Sequence, residues 1–155
     1  MKTQSKILET QALEKLKRLC SRKEKCKADI RQKLIGWHIA EETANKIILQ
    51  LESENFIDEK RFAMAFSGDK IKFNKWGKLK VRYQLTIKGI SDTDISNALS
   101  EINEEEYIEM IRKEIRAKYL NIKAKSDWER KLKIMQFAQS RGYETDIVNE
   151  ILEQG

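Results

Sequence analysis

Hydrophobic residues recur along the chain at the three- and four-residue spacing of amphipathic helices. The spacing is clearest in three stretches, which contain Leu13, Leu16 and Leu19, then Phe62 and Phe66, then Ile108, Ile111 and Ile115. Much of the rest is Lys, Glu, Gln and Arg, which form helix readily, and the chain contains no proline. The pattern predicts an all-α fold.

One helical pattern occurs three times. The apolar pairs Ile30 with Leu34, Val81 with Leu85 and Ile134 with Ala138 lie 51 and then 53 residues apart. The second and third pairs are each followed by a basic residue, a glycine and an apolar residue, a combination typical of helix ends. At the corresponding position the first pair has His38 instead of glycine. We therefore predict three repeats.

Each repeat is predicted to contain three short helices. They are expected near 8–21, 26–37 and 41–53, near 58–73, 78–88 and 93–101, and near 104–120, 127–141 and 145–153. The repeats should occupy 1–55, with a short polar N-terminal tail, 56–102 and 103–155. A unit of about 50 residues buries little apolar surface alone, so the copies should stack into an elongated, curved body.

Few residues of this sequence suit catalysis or metal binding. His38 is the only histidine, and we interpret it as a residue that ends a helix. Cys20 and Cys26 are six residues apart, which fits neither a redox pair nor half of a zinc site, so they are expected to be reduced thiols. No two glycines are closer than nine residues, which argues against a glycine-rich phosphate loop. We predict no catalytic residue, no metal and no cofactor.

Two further features argue against an acid–base catalytic site and against a membrane or secreted protein. The acidic pairs Glu41-Glu42 and Asp58-Glu59, with Glu104-Glu105-Glu106, fall at predicted helix starts, where carboxylates stabilise exposed N–H groups. No stretch approaches the roughly 18 apolar residues of a membrane span, and the first residues lack an apolar signal segment. A cytoplasmic location is expected.

Positive charge is concentrated towards the beginning of the chain. The net charge is +6, and residues 101–155 carry 10 basic against 12 acidic side chains. Seven cations and no carboxylate lie between Lys70 and Ser91. We predict that a partner is bound by a main patch and a second patch, which consist of Lys70, Lys72, Lys75, Lys78, Lys80 and Arg82, and of Arg22, Lys23, Lys25 and Lys27. Such a surface suits a polyanion or an acidic groove, although a basic excess is often only a solvated surface.

The second helix of the second repeat has two apolar faces. Val81 and Leu85 share one face, which should be core, while Trp76, Leu79 and Tyr83 lie on nearly the opposite one. We favour burial of this second face against a neighbouring repeat over its presentation to a partner. In the third helices Lys46 is the only cation, so any nucleic-acid contact should be directed to the backbone and be sensitive to salt.

An ordered set of motifs along residues 12–153 resembles the RecX family. The strongest match is Asn55-Phe56-Ile57-Asp58-Glu59-Lys60-Arg61-Phe62-Ala63. It is followed by Trp76-Gly77, Val81-Arg82-Tyr83-Gln84-Leu85, Lys88-Gly89-Ile90 and Arg141-Gly142-Tyr143. Upstream, Leu19 to Cys26 resembles another family segment, with Glu24 and Cys26 where arginine and serine are usual. In the main motif Phe56, Ile57 and Phe62 should be core, as should Leu85 and Ile90, and Asp58 should cap a helix.

The resemblance implies a function as well as a fold. RecX proteins bind RecA and lie in the groove of its filament on single-stranded DNA, and most inhibit strand exchange and ATP hydrolysis. The resemblance thus implies a monomeric regulator in DNA recombination, DNA repair and the SOS response, with no cofactor. The alternative is a backbone-directed module that binds single-stranded nucleic acid independently of RecA.

Overall fold

The computed structural model describes the backbone of residues 2–154 and the side chains of residues 8–154. Within this range the chain forms nine α-helices and no strand. The helices are α1 Lys2–Arg22, α2 Lys27–Gly36, α3 Glu41–Ser53, α4 Glu59–Asn74, α5 Lys78–Ile87, α6 Asp92–Ser100, α7 Glu104–Asn121, α8 Asp127–Arg141 and α9 Thr145–Gln154. The predicted all-α fold of three tandem three-helix repeats is confirmed.

Eight of these helices begin and end within one residue of their predicted bounds. The exception is α1, which starts at Lys2 and not near Leu8, so the predicted polar tail is wrong. Residues 2–7 contain neither glycine nor proline, and nothing in their sequence stops a helix that has already formed downstream.

The apolar side chains form two cores. One belongs to the first repeat and includes Leu16, Ile30 and Leu51, and the other runs through the second and third repeats. Of the predicted core residues Ile57, Phe62, Leu85 and Ile90 are buried, while Phe56 packs half-buried on the first core. The chain exposes 10438 Å², whereas a compact protein of 18.3 kDa exposes about 8,100 Å². The excess is that of an elongated stack.

Four of the nine described helices are capped by the side chain of their own N-cap residue. Asp58 accepts a hydrogen bond from the backbone N–H of Arg61 (3.1 Å), which confirms the predicted cap of α4. Ser91, Asn103 and Ser126 cap α6, α7 and α8 in the same way. The helices α2 and α5 lack a side-chain cap, since their N-cap residues are Cys26 and Gly77. Both of these residues are buried at a contact with the next repeat.

The junction between the first and second repeats is an ionic rim around Cys26. This side chain is buried in the core of the following repeats, and burial raises the pKa of its thiol to about 11. Three ion pairs surround it, namely Glu24 with Arg61 (3.0 Å), Lys27 with Glu59 (4.0 Å) and Asp29 with Lys88 (2.8 Å). The backbone N–H of Lys27 donates to Glu59, which replaces the missing cap of α2.

The junction between the second and third repeats uses backbone groups at corresponding positions. The N–H groups of Gly77 and Leu79 donate to the carbonyls of Arg141 (2.6 Å) and Gly142 (3.1 Å). The end of α8 thus caps the start of α5. The approach is so close that a Cβ atom on Gly77 would lie 2.1 Å from the Gly142 oxygen.

Two buried tyrosines complete this second junction. The Tyr107 hydroxyl accepts from the N–H of Lys78 (2.9 Å) and donates to Glu144, and the Tyr143 hydroxyl donates to the Lys75 carbonyl (2.6 Å). Burial, as the largest cause, raises the pKa of both phenols, that of Tyr143 to about 12. Both shifts favour the protonated phenols, which are the form that donates these hydrogen bonds.

Candidate functional site

The main patch is arranged around Trp76 at the turn between α4 and α5. The ammonium groups of Lys70 and Lys80 lie 4.9 and 4.6 Å from the centroid of this half-buried indole. Phe66 contacts the indole edge, with the two ring centroids 6.2 Å apart. Because cations are attracted to aromatic faces, Trp76 holds two predicted contact residues close together.

The other members of the main patch differ in whether they already contact another group of the protein. Lys78 forms an ion pair with Glu104 across the second junction (3.0 Å), and Arg82 donates to Ser96 (3.3 Å). Lys72 is exposed beside the ring of Phe73. The half-buried Lys75 has a φ of 59° at the end of α4. The structure thus brings Lys70 and Lys80 together at Trp76, while Lys72 and Arg82 contact other groups and Lys78 is engaged in holding the repeats.

The second patch lies at the equivalent turn of the first repeat. Lys27 occupies the position that corresponds to Lys78 and is likewise paired, with Glu52 (2.9 Å) and Glu59. In the part of the chain that the structure describes, no ion pair involves Arg22, Lys23 or Lys25. Each patch therefore combines one junction lysine with several cations that remain available.

One apolar face of α5 is open to solvent. Leu79 and Tyr83 are exposed, and only Trp76 is half-buried, so the favoured prediction that this face is buried between repeats is wrong. The neighbouring repeat meets α5 at its first turn alone, through the hydrogen bonds of Gly77 and Leu79. Beyond that turn an open groove of about 590 Å³ separates α5 from α8.

A third basic cluster was missed by the sequence reasoning. It lies at the turn between α7 and α8, which is equivalent to the turns of the other two patches. Its seven cations are Arg116, Lys118, Lys123, Lys125, Arg130, Lys131 and Lys133, against two carboxylates. The signal was present in the sequence, but a charge count over residues 101–155 averages this cluster with acidic residues of α7 and α9.

The rest of the described surface offers little reactive chemistry. Among residues 2–154 no group of three or more His, Cys, Asp or Glu side chains is placed to hold a metal ion. None of the helices in that range is long and apolar enough to span a bilayer. His38 ends the α2 turn with a φ of 59°, in the left-handed region that Gly142 adopts in the third repeat. The features that stand out on the described surface are the basic turns and the open apolar face of α5.

Several known proteins are similar to this chain in sequence and in fold. Residues 58–99 match the model of the RecX second three-helix domain, and residues 104–152 match that of the third. Regulatory protein RecX of Clostridium acetobutylicum is 33% identical over 135 residues, which cover 84% of this chain and 62% of that protein. Regulatory protein RecX of Chlorobium phaeobacteroides is 30% identical over 138 residues, 88% of each chain.

Solved structures agree with these matches. A crystal structure of regulatory protein RecX has a TM-score of 0.84 at 22% identity, covering 94% of this chain and 73% of that one. The structure of RecX from Lactobacillus salivarius has a TM-score of 0.79 at 19% identity, with 94% and 95% covered. These likenesses show the same fold. The family models, together with the relative from Chlorobium, show that the chain belongs to the RecX family of regulatory proteins.

Proposed function

We propose that this chain regulates RecA by binding RecA protein and its filament on single-stranded DNA. In this proposal it mostly inhibits strand exchange and ATP hydrolysis during DNA recombination, repair and the SOS response. It acts in the cytoplasm as a monomer, and it needs no catalytic residue or cofactor of its own. The observation that carries the proposal is membership of the RecX family.

The geometry supports a role in binding. An elongated stack can follow a long groove, and the predicted divisions 1–55, 56–102 and 103–155 would each present one basic turn to it. Lys70, Lys72 and Lys75 form no ion pair with a carboxylate among the described residues. They can therefore attract an acidic groove or a phosphate backbone without first breaking internal pairs.

The test measures the DNA-stimulated ATPase of RecA and the length of its filaments. A Lys70→Glu, Lys72→Glu, Lys75→Glu variant should bind the filament at least about tenfold more weakly than the wild type, because each reversal replaces attraction by repulsion. The control is Lys46→Glu, which reverses an exposed lysine in the acidic third helices. Wild-type protein that leaves both readouts unchanged at stoichiometric amounts would refute the proposal.

Single-stranded nucleic-acid binding without RecA is the second candidate. The observation in its favour is the run of residues 70–91, which carries seven cations and no carboxylate. This function requires appreciable affinity for a single-stranded oligonucleotide at physiological salt, with log K falling linearly as log salt rises. An affinity that disappears at physiological salt would exclude it.

A further inference from the structure

Five large exposed hydrophobic side chains lie on the second helices of the second and third repeats. Leu79, Tyr83 and Ile87 of α5 and Trp128 and Leu132 of α8 form what we call the apolar stripe. All five are exposed, Tyr83 by 65% and Trp128 by 74%. By contrast, Leu49 is the one large exposed hydrophobic residue within α3, α6 and α9 among the described residues. A concentration of exposed apolar groups marks an interaction surface more often than chance.

One position of the stripe is shared by the two repeats. By the 53-residue spacing of the buried pairs Leu79 corresponds to Leu132, whereas Tyr83 corresponds to Gln136 and Trp128 lies one turn before Leu132. In α2 the positions of Leu79 and Tyr83 hold Ala28 and Gln32, and Ile35 is the one large exposed hydrophobic residue of that helix. The three-helix fold therefore does not require large apolar residues at these positions.

The stripe also lies away from the core. In α5 the buried residues are Val81 and Leu85, on the opposite face of the helix. In α8 the buried residues are Ile134 and Ala138. Leu132 precedes Ile134 by two residues, as Leu79 precedes Val81, so it also lies on the face opposite the core. Packing within the repeats does not explain the stripe.

The two halves of the stripe lead into one groove. Leu79 and Tyr83 line the groove of about 590 Å³ between α5 and α8 together with Met135, and Leu132 precedes Met135 by one helical turn. Because carbonyls at the end of α8 cap the first turn of α5, the stripe continues from one helix to the next. An extended partner segment would find apolar contacts along both helices.

The charges beside the stripe define its partner. Lys80 and Arg82 flank the stripe on the two sides of α5, and Lys80 is the one charged residue that lines the groove. Beside the α8 half of the stripe, three cations outnumber two carboxylates, Asp127 and Glu129. No carboxylate occurs between residues 70 and 91. An occupant with apolar side chains bordered by carboxylates would therefore be complementary in both shape and charge.

We propose that the apolar stripe docks a protein segment whose apolar side chains are bordered by acidic residues. Aliphatic Leu79, Ile87 and Leu132 favour protein over nucleic acid, because bases stack on aromatic rings. The inference rests on the proposed function, in which the segment belongs to RecA in its filament. It adds an apolar anchor to a contact that the basic patches alone would make purely electrostatic.

The test compares stripe variants with a matched control on RecA filaments. Tyr83→Gln combined with Leu132→Gln removes one anchor from each helix, and Trp128→Gln is a second variant. Leu49→Gln is the control, since Leu49 is equally exposed within a helix. Glutamine is a good helix former, so thermal melting should match the control. The double variant should bind about tenfold or more weakly at both low and high salt, because apolar contacts are little screened.

The outcomes separate the two proposals. Wild-type protein that fails to bind the filament would refute the RecA function and this inference together. Normal wild-type binding with unchanged affinity in both stripe variants would refute the stripe alone. An equal loss of affinity for bare single-stranded DNA would also refute it, because the stripe would then be a base-stacking platform. Loss of filament binding with unchanged affinity for bare DNA is the supporting result.

Discussion

The two junctions between repeats use equivalent positions but different chemistry. At the first, the buried N-cap is Cys26 and the surrounding contacts are ion pairs of half-exposed side chains. At the second, the buried N-cap is Gly77, and the contacts are backbone hydrogen bonds with two buried tyrosines. The first junction should therefore respond to charge and salt, and the second to shape and to hydrogen-bond donors. One repeated fold thus contains two kinds of joint.

Gly77→Ala should have the largest effect on stability, because it introduces a steric clash at the closest contact of the second junction. The added Cβ would lie 2.1 Å from the Gly142 oxygen, and neither backbone can move away cheaply. We expect a loss of about 3 kcal/mol in the free energy of unfolding, at the upper end of overpacking costs. Denaturant unfolding measures it. As a control, Gly68→Ala in α4 enters open space and should stabilise by about 0.5–1 kcal/mol. Equal effects at both glycines would contradict the close approach.

Tyr107→Phe should have the next largest effect. It removes the hydroxyl that bridges Lys78 N–H and Glu144 and leaves both part-buried groups without this partner. The expected loss is about 1–3 kcal/mol, the cost of an unsatisfied buried polar group. Thermal or denaturant melting checks it, with Tyr83→Phe as the control because the Tyr83 ring is exposed. A loss no larger than that of the control would show that the bridge contributes nothing.

Alkaline pH should weaken the second junction through Tyr143. The folded pKa is raised from 10.0 to about 12, so the stabilisation is complete below the unfolded pKa and is lost as pH rises through the folded one. Between these values the wild type should lose up to about 1.4 kcal/mol per pH unit relative to Tyr143→Phe. Unfolding curves of both proteins across this range provide the comparison, and parallel pH profiles would contradict the assignment.

Lys88→Met should have the smallest effect and belongs to the first junction. Burial alone would raise the pKa of Asp29, but hydrogen bonds from Lys88 and Cys26 outweigh it and lower that pKa. The pair is about one-third exposed, so its loss should cost about 0.2–1 kcal/mol. Added salt should reduce this difference between wild type and variant while leaving the Tyr107→Phe difference unchanged. Equal salt dependence at both junctions would remove the contrast between them.

Local features of the fold could be predicted because they depend on neighbours in sequence. The helical period located α2 to α9 within one residue, and Asp58 was recognised as a cap from its type and position. The basic patches could be read in the same way, as cations that are close in the chain. The cluster around Arg116 to Lys133 escaped only because its charge was counted together with distant acidic residues.

The junctions and the apolar stripe could not be predicted, because they depend on residues far apart in the chain. Tyr107 gives no sign in sequence that it will bridge Lys78 and Glu144. The open face of α5 has the same helical spacing of apolar residues as a buried face. Only the placement of α8 decides that Tyr83 remains in solvent.

The sequence by itself determined the helices, their threefold repetition, the first two basic patches and the resemblance to the RecX family, since each of these is written in local spacing and composition. The tertiary structure alone decided which cations hold the repeats together and which remain free, and which apolar faces stay open. The physical reason is that burial and pairing depend on the approach of whole helices, whose angle and distance no local pattern specifies.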